Sequence, residues 1–105
     1  MFEARSQLWR MAQVANRDSH RWFPATANNL FFTAACMAAE GGEAVNAIKK
    51  WVREDRAATP EEWEKAKEEI VDTFTYLLDA SALMDFDLQV EYNKKRAINE
   101  ARFGN

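Results

Sequence analysis

Residues 59–62 read Thr-Pro-Glu-Glu, and this short stretch commits the chain to a helix start. Threonine suits an N-cap, and proline suits the first helical position, where its missing N–H is not needed. Glu62 then stands three residues after the cap, as a capping box requires. The spacing predicts a helix from Pro60 to about Asp85. Upstream, Leu30, Ala34, Met37, Gly41, Ala44, Ile48 and Trp51 recur at three and four, which predicts a second long helix from about Thr26 to about Arg56. The short connection makes these two helices antiparallel neighbours.

Phe23-Pro24 separates this pair from a less periodic N-terminal helix over about Glu3 to Ser19. Asp87 caps a last helix that ends near Phe103, with Gly104 in a stop position. The expected architecture is all-α, an antiparallel four-helix bundle in a single domain over residues 1–105. Three Gly and two Pro leave few turns for a β sandwich. One domain is also what 105 residues can support.

Charge and cysteine content narrow the function. Lys and Arg total 14 against 17 Asp and Glu, a net charge of −3, so there is no basic excess for a nucleic-acid polymer. A phosphate compound can still bind an acidic protein when divalent cations bridge the two. Cys36 is the only cysteine and His20 the only histidine, too few for a zinc site of the usual kind. Cys36 reads as a small packed residue and His20 as a surface residue near a helix end. A reducing, cytoplasmic setting fits the single thiol. No run approaches the roughly 18 apolar residues of a membrane span, and the N-terminus lacks a signal-peptide core.

Two acidic pairs stand out, Glu40/Glu43 on the second helix and Glu69/Asp72 on the third, each spaced i, i+3 and so on one face. Glu40 and Glu43 share a flank with Thr33, Cys36 and Ala47. Glu69 and Asp72 open a second apolar stripe with Tyr76, Ala80 and Leu83, beside a main core stripe of Ile70, Phe74, Leu77 and Ser81. Carboxylates facing such a surface must be paired, protonated or metal-bound. Glu43 lies 13 residues before Arg56 and Asp72 lies 12 after Pro60. At about 1.5 Å per residue, both stand roughly 20 Å from the turn. Four carboxylates at one level repel unless cations are present. The bland alternative is a pair of solvated acidic faces. Gly41-Gly42 beside the acids costs the helix roughly 2 kcal/mol relative to alanine, which suggests a close backbone approach by a neighbouring helix or else a local bend. An all-carboxylate set suits Mg²⁺, or Mn²⁺, and such ions commonly work with substrate phosphates.

Glu-x-x-Glu, an interval of 25 residues, then Glu-x-x-Asp resembles the all-α nucleoside triphosphate pyrophosphohydrolases, the MazG-like group. That group includes dimeric dUTPases and phosphoribosyl-ATP pyrophosphohydrolases. The flanks are similar too: residues 39–50 resemble the family's first acidic helix, and Glu68–Asp72 with Tyr76-Leu77-Leu78 the second. Lys95, Asn99, Arg102 and Phe103 resemble its closing Lys-x-x-x-Asn segment and basic-aromatic end. The likeness spans about residues 28–103, and Gly41 departs from the larger apolar residue often found there.

The resemblance implies Mg²⁺-dependent cleavage between the α and β phosphates of a nucleoside triphosphate, giving the monophosphate and pyrophosphate. It implies that Glu40, Glu43, Glu69 and Asp72 hold the metal and that one of them orients or deprotonates a water. Lys95, Asn99 and Arg102, with Lys50 or Arg53, would steady the phosphates. On a helix the first three share one face, which is also what a solvated polar stripe would show. Trp22 and Phe23 are candidates for stacking on the base, and Asn28 or Asn29 for reading its edge. The second apolar stripe of the third helix predicts a homodimer whose helices complete a bundle, and tetramers also occur in the family. Two rival readings stay open: a helical interaction module whose acids are merely solvated, and a phosphoribosyl-ATP pyrophosphohydrolase, distinguished by substrate alone.

Overall fold

Each helix begins and ends where local chemistry dictates. A computed structural model of the chain describes residues 4–20 and 26–103. Those residues form four helices and no strand: α1 (Gln7–His20), α2 (Ala27–Arg53), α3 (Pro60–Leu83) and α4 (Leu88–Phe103). Thr59 Oγ1 accepts from the Glu62 N–H at 3.2 Å while the Glu62 carboxylate accepts from the Thr59 N–H at 2.9 Å, so the expected capping box is present. Thr26 caps α2 by accepting from the Asn29 N–H at 3.2 Å.

The two long helices stop two or three residues before the expected points. Asp55 and Asp85 adopt positive φ, 48° and 57°, a region that aspartate tolerates better than most residues. In each case the following N–H closes a long bond back into the helix, Arg56 to the Trp51 carbonyl at 3.2 Å and Phe86 to the Ser81 carbonyl at 3.1 Å. Both ends are Schellman motifs with aspartate where glycine is commoner. The expected break at Phe23-Pro24 and the stop at Gly104 lie outside the described residues.

Helix α2 packs along α3, α1 packs on α3, and α4 packs mainly on α1. Ser6 and Asp87 join the starts of α1 and α4. Ser6 Oγ accepts from the Trp9 N–H at 3.0 Å, and Asp87 accepts from the Ser6 hydroxyl at 2.5 Å, the Ser6 N–H at 3.2 Å and the Gln89 N–H at 3.1 Å. Helix α4 has no buried residue. Among the described residues the buried apolar set is small, Ala12, Ala44, Ala66 and Leu78. The radius of gyration, 16.8 Å, exceeds the roughly 13 Å expected of a compact chain this long.

Each stripe of α3 is covered only in part. In the expected core stripe Ser81 is buried and Leu77 half-buried, but Ile70 and Phe74 are 55% and 36% exposed; in the second stripe Glu69 is buried, Tyr76, Ala80 and Leu83 half-buried and Asp72 exposed. The face that α3 turns to α2 is the one carrying the acid. Two apolar stripes on one helix look alike in sequence, and only the crossing with α1 and α2 decides which is covered.

Candidate metal centre

Glu40 and Glu43 project from the middle of α2, and Glu69 projects from α3 running the other way. One carboxylate oxygen from each lies within 4.8 Å of the others. Opposite ligands of an octahedral Mg²⁺ at 2.0–2.1 Å stand about 4.2 Å apart, so small side-chain adjustments suffice for one ion. The donors are all oxygen, which fits Mg²⁺ or Mn²⁺. Glu69 is buried, Glu40 half-buried and Glu43 exposed.

Asp72, the fourth expected ligand, is exposed and stands outside this three-oxygen set. It remains close enough for its charge to act on Glu40 and Glu43. A hydrogen bond shared with Glu69, partial burial and the charges of Glu43, Glu69 and Asp72 raise the Glu40 carboxyl from 4.5 to about 6. Glu43 is raised as well, chiefly by its hydrogen bond with Glu69 and by that residue's charge. Glu69 moves the opposite way, held down by Lys65 and by the hydrogen bonds from its two partners.

Sequence reasoning missed two groups here. Lys65 pairs with Glu69 at 2.9 Å; its i, i+4 spacing from Glu69 was the available signal. Lys65 also lines, with Lys50, Trp51 and Glu62, a pocket of about 240 Å³ between the acids and the hairpin turn. Tyr76 is the other. Burial and the neighbouring Cys36, Glu40 and Asp72 push its hydroxyl pKa up, so the phenol borders the acidic level.

The remaining candidates lie elsewhere. Lys95 and Arg102 are exposed on α4 and Asn99 is half-buried there. That helix rests mainly on α1, and among the described residues no hydrogen bond or ion pair joins the three to the acids. Arg102 lies over the Phe103 ring, 5.3 Å from its centroid. Asn29 sits in the first turn of α2, where its N–H serves the Thr26 cap and its carbonyl accepts from the Thr33 hydroxyl at 2.9 Å. It is about 16 Å of helix from Glu40. Trp22 and Phe23 lie outside the described residues. No helix among those described is long and apolar enough to cross a membrane.

No family model matches the chain, and neither a curated protein nor a solved structure does.

Proposed function

We propose that the chain is a Mg²⁺-dependent nucleoside triphosphate pyrophosphohydrolase of the MazG-like kind. The observation that carries the reading is the meeting of three carboxylates from two antiparallel helices within 4.8 Å. Like charges so gathered are unfavourable by themselves, and the hydrogen bond with Glu69, partial burial and the neighbouring charges together raise the Glu40 carboxyl. A divalent ion removes that penalty.

Glu40, Glu43 and Glu69 would hold the metal. When bound, Mg²⁺ supplies neutralisation of phosphate charge and a lowered pKa for a bound water. Asp72, exposed beside the set and not part of it, is left to orient a water and accept its proton. Lys65 neutralises Glu69 in the metal-free chain, and together with Lys50 it offers ammonium groups to phosphate oxygens beside the acids. Lys95, Asn99 and Arg102 would take part only if α4 reaches an acidic level in an assembly.

The test incubates ribo-, deoxyribo- and oxidised nucleoside triphosphates with Mg²⁺ and measures pyrophosphate and orthophosphate separately. Pyrophosphate should appear first. Glu43→Gln and Asp72→Asn should each lower turnover by at least about 100-fold, the upper range seen for weaker outer-shell partners of metals. Orthophosphate as the first product contradicts the bond assignment, and full activity in either variant removes the site. The Lys65–Glu69 pair also suits the second reading, an interaction module with internally satisfied acids. That module would bind no Mg²⁺ and release no pyrophosphate.

A further inference from the structure

The connection between α2 and α3 carries a groove that the metal centre does not use. Its volume is about 950 Å³, and Trp51, Val52, Pro60 and Trp63 supply much of its apolar lining. That size lies near the top of the roughly 300–1,000 Å³ range of small-molecule sites. Its charged lining residues are Asp55, Arg56 and Glu64.

The aromatic part is built by the two helix ends. Trp51 stands in the last turn of α2, and Trp63 follows the Thr59 cap of α3 by one turn. The rings stack with centroids 6.3 Å apart and planes inclined by 25°. Trp63 nevertheless stays 59% exposed, and Val52 73%. Trp9 shows the contrast. The Arg5 guanidinium lies over its ring, 4.4 Å from the centroid. Among the described residues no cation lies over Trp51 or Trp63.

The groove's own cation is already committed. Arg56 donates to Glu54 at 2.7 Å, to both oxygens of Glu62 at 2.8 and 2.9 Å, and to the Ala57 carbonyl at 3.0 Å. Asp55 joins no ion pair among the described residues. Glu64 meets only Lys67, at 3.2 Å between two well-exposed side chains, which is a weak kind of pair. The negative end of the α2 dipole also reaches the groove. The positive end of α3 is occupied by the capping box of Thr59 and Glu62. What remains on offer is indole faces, two carboxylates and a helix C-terminus, and each of these attracts positive charge.

We infer that this groove binds a small organic cation of the alkylated ammonium class, with its charge over the Trp51–Trp63 pair and Asp55 and Glu64 as counter-charges. The apolar lining selects the class. A compact, strongly hydrated ion gains nothing from Val52, Pro60 or an indole face, whereas an ammonium wrapped in methyl groups loses little hydration and gains both contacts. The inference stands apart from the metal-site reading. Glu40, Glu43 and Glu69 are not among the lining residues, and Trp63 precedes Glu69 by six residues, about 9 Å of helix.

The test titrates the full chain, without metal, against choline and against 3,3-dimethylbutan-1-ol, which has the same shape and no charge. The indole N–H resonances are read by NMR and assigned through single Trp→Phe replacements. Choline should shift those of Trp51 and Trp63 saturably and leave Trp9 in place. The alcohol should bind about fivefold more weakly, the worth of one exposed cation–π contact. Trp63→Leu should weaken choline at least about 10-fold with helical circular dichroism retained, and Trp63→Phe should recover part of the loss. Asp55→Asn, which still tolerates positive φ, combined with Glu64→Gln should weaken choline about threefold and leave the alcohol unchanged. If Trp63→Leu does not fold, the comparison of choline with its neutral counterpart decides. Equal affinity for the two, shifts that survive Trp63→Leu, or no saturable shift at all overturns the inference. So does uridine, neutral and planar, if it binds the same indoles more tightly than choline.

Discussion

The two ends of the acidic run along the α2–α3 hairpin treat their carboxylates in opposite ways. At the turn, Arg56 spreads its guanidinium between Glu54 at 2.7 Å and both oxygens of Glu62 at 2.8 and 2.9 Å. Glu62 also takes the Thr59 N–H, and the Arg56 and backbone bonds hold its carboxyl down near 2. Beside it, Trp51 and Trp63 stack with centroids 6.3 Å apart. Midway along the hairpin, Lys65 pairs with Glu69 at 2.9 Å among three glutamates and Asp72, and Glu40 is pushed up to about 6. The turn is a finished structural element in which Arg56, Glu54 and Glu62 satisfy one another. The middle carries surplus negative charge that the fold tolerates and does not cancel. That contrast separates acids that hold a fold together from acids whose charge the fold leaves uncancelled.

The largest test of the contrast is metal addition. Mg²⁺ at about 100 times its dissociation constant should raise unfolding free energy by about 2.7 kcal/mol through binding to the folded state alone. Thermal unfolding of the wild type should show this shift, and Glu69→Gln should lose most of it. An unchanged melting temperature in the wild type would place the acids with the inert kind. Next in size is Thr59→Ala at the turn, which should cost about 1 kcal/mol for the lost cap in urea unfolding while leaving the Mg²⁺ response as it was. A changed Mg²⁺ response would mean that the two levels are coupled.

The subtlest test is pH, where the two levels pull in opposite directions. Glu40, with a folded value of about 6 against 4.5, takes up its proton in the folded chain before the unfolded one does. Its contribution therefore strengthens the fold as pH falls from above 6 toward 4.5. Glu62, held near 2, stays ionised in the fold after the unfolded chain has protonated. Its contribution is complete above 4.5 and is lost as pH falls toward 2. Unfolding measured without metal should show these two groups giving greatest stability near pH 4.5. Saturating Mg²⁺ should flatten or reverse the upper limb, because metal and proton compete for the same oxygens.

How much of this was legible in the sequence depends on the range of the interaction. The capping box at Thr59–Glu62 and the Asp87 cap are written in consecutive residues, and both formed. The i, i+3 acids were legible as pairs, and counting residues from the turn gave their common level, because an antiparallel hairpin has fixed rise. Which carboxylates converge was not legible: Asp72 shares a stripe with Glu69 but misses the oxygen cluster, a matter of side-chain direction. The left-handed Asp55 and Asp85 escaped because aspartate only tolerates what glycine announces. Placement of Lys95, Asn99 and Arg102 depends on where α4 docks, and no local pattern encodes that. The periodic stripe of α2 split in the same way: Leu30, Met37, Gly41, Ala44 and Trp51 are buried or half-buried while Ala34 and Ile48 are exposed, since a repeat does not say how wide a face its neighbour covers.

Asp87 accepts hydrogen bonds from the start of α1 and the start of α4 at once, though Ser6 and Asp87 are 81 residues apart. One negative charge thus serves two positive helix ends, and both segments hang from a single hook. The last helix has little other anchorage, so releasing that hook frees it and the opening turn of the chain in the same event. In hydrogen exchange the first turns of the two should lose protection at one rate, as a single clasp would, despite belonging to opposite ends of the polypeptide.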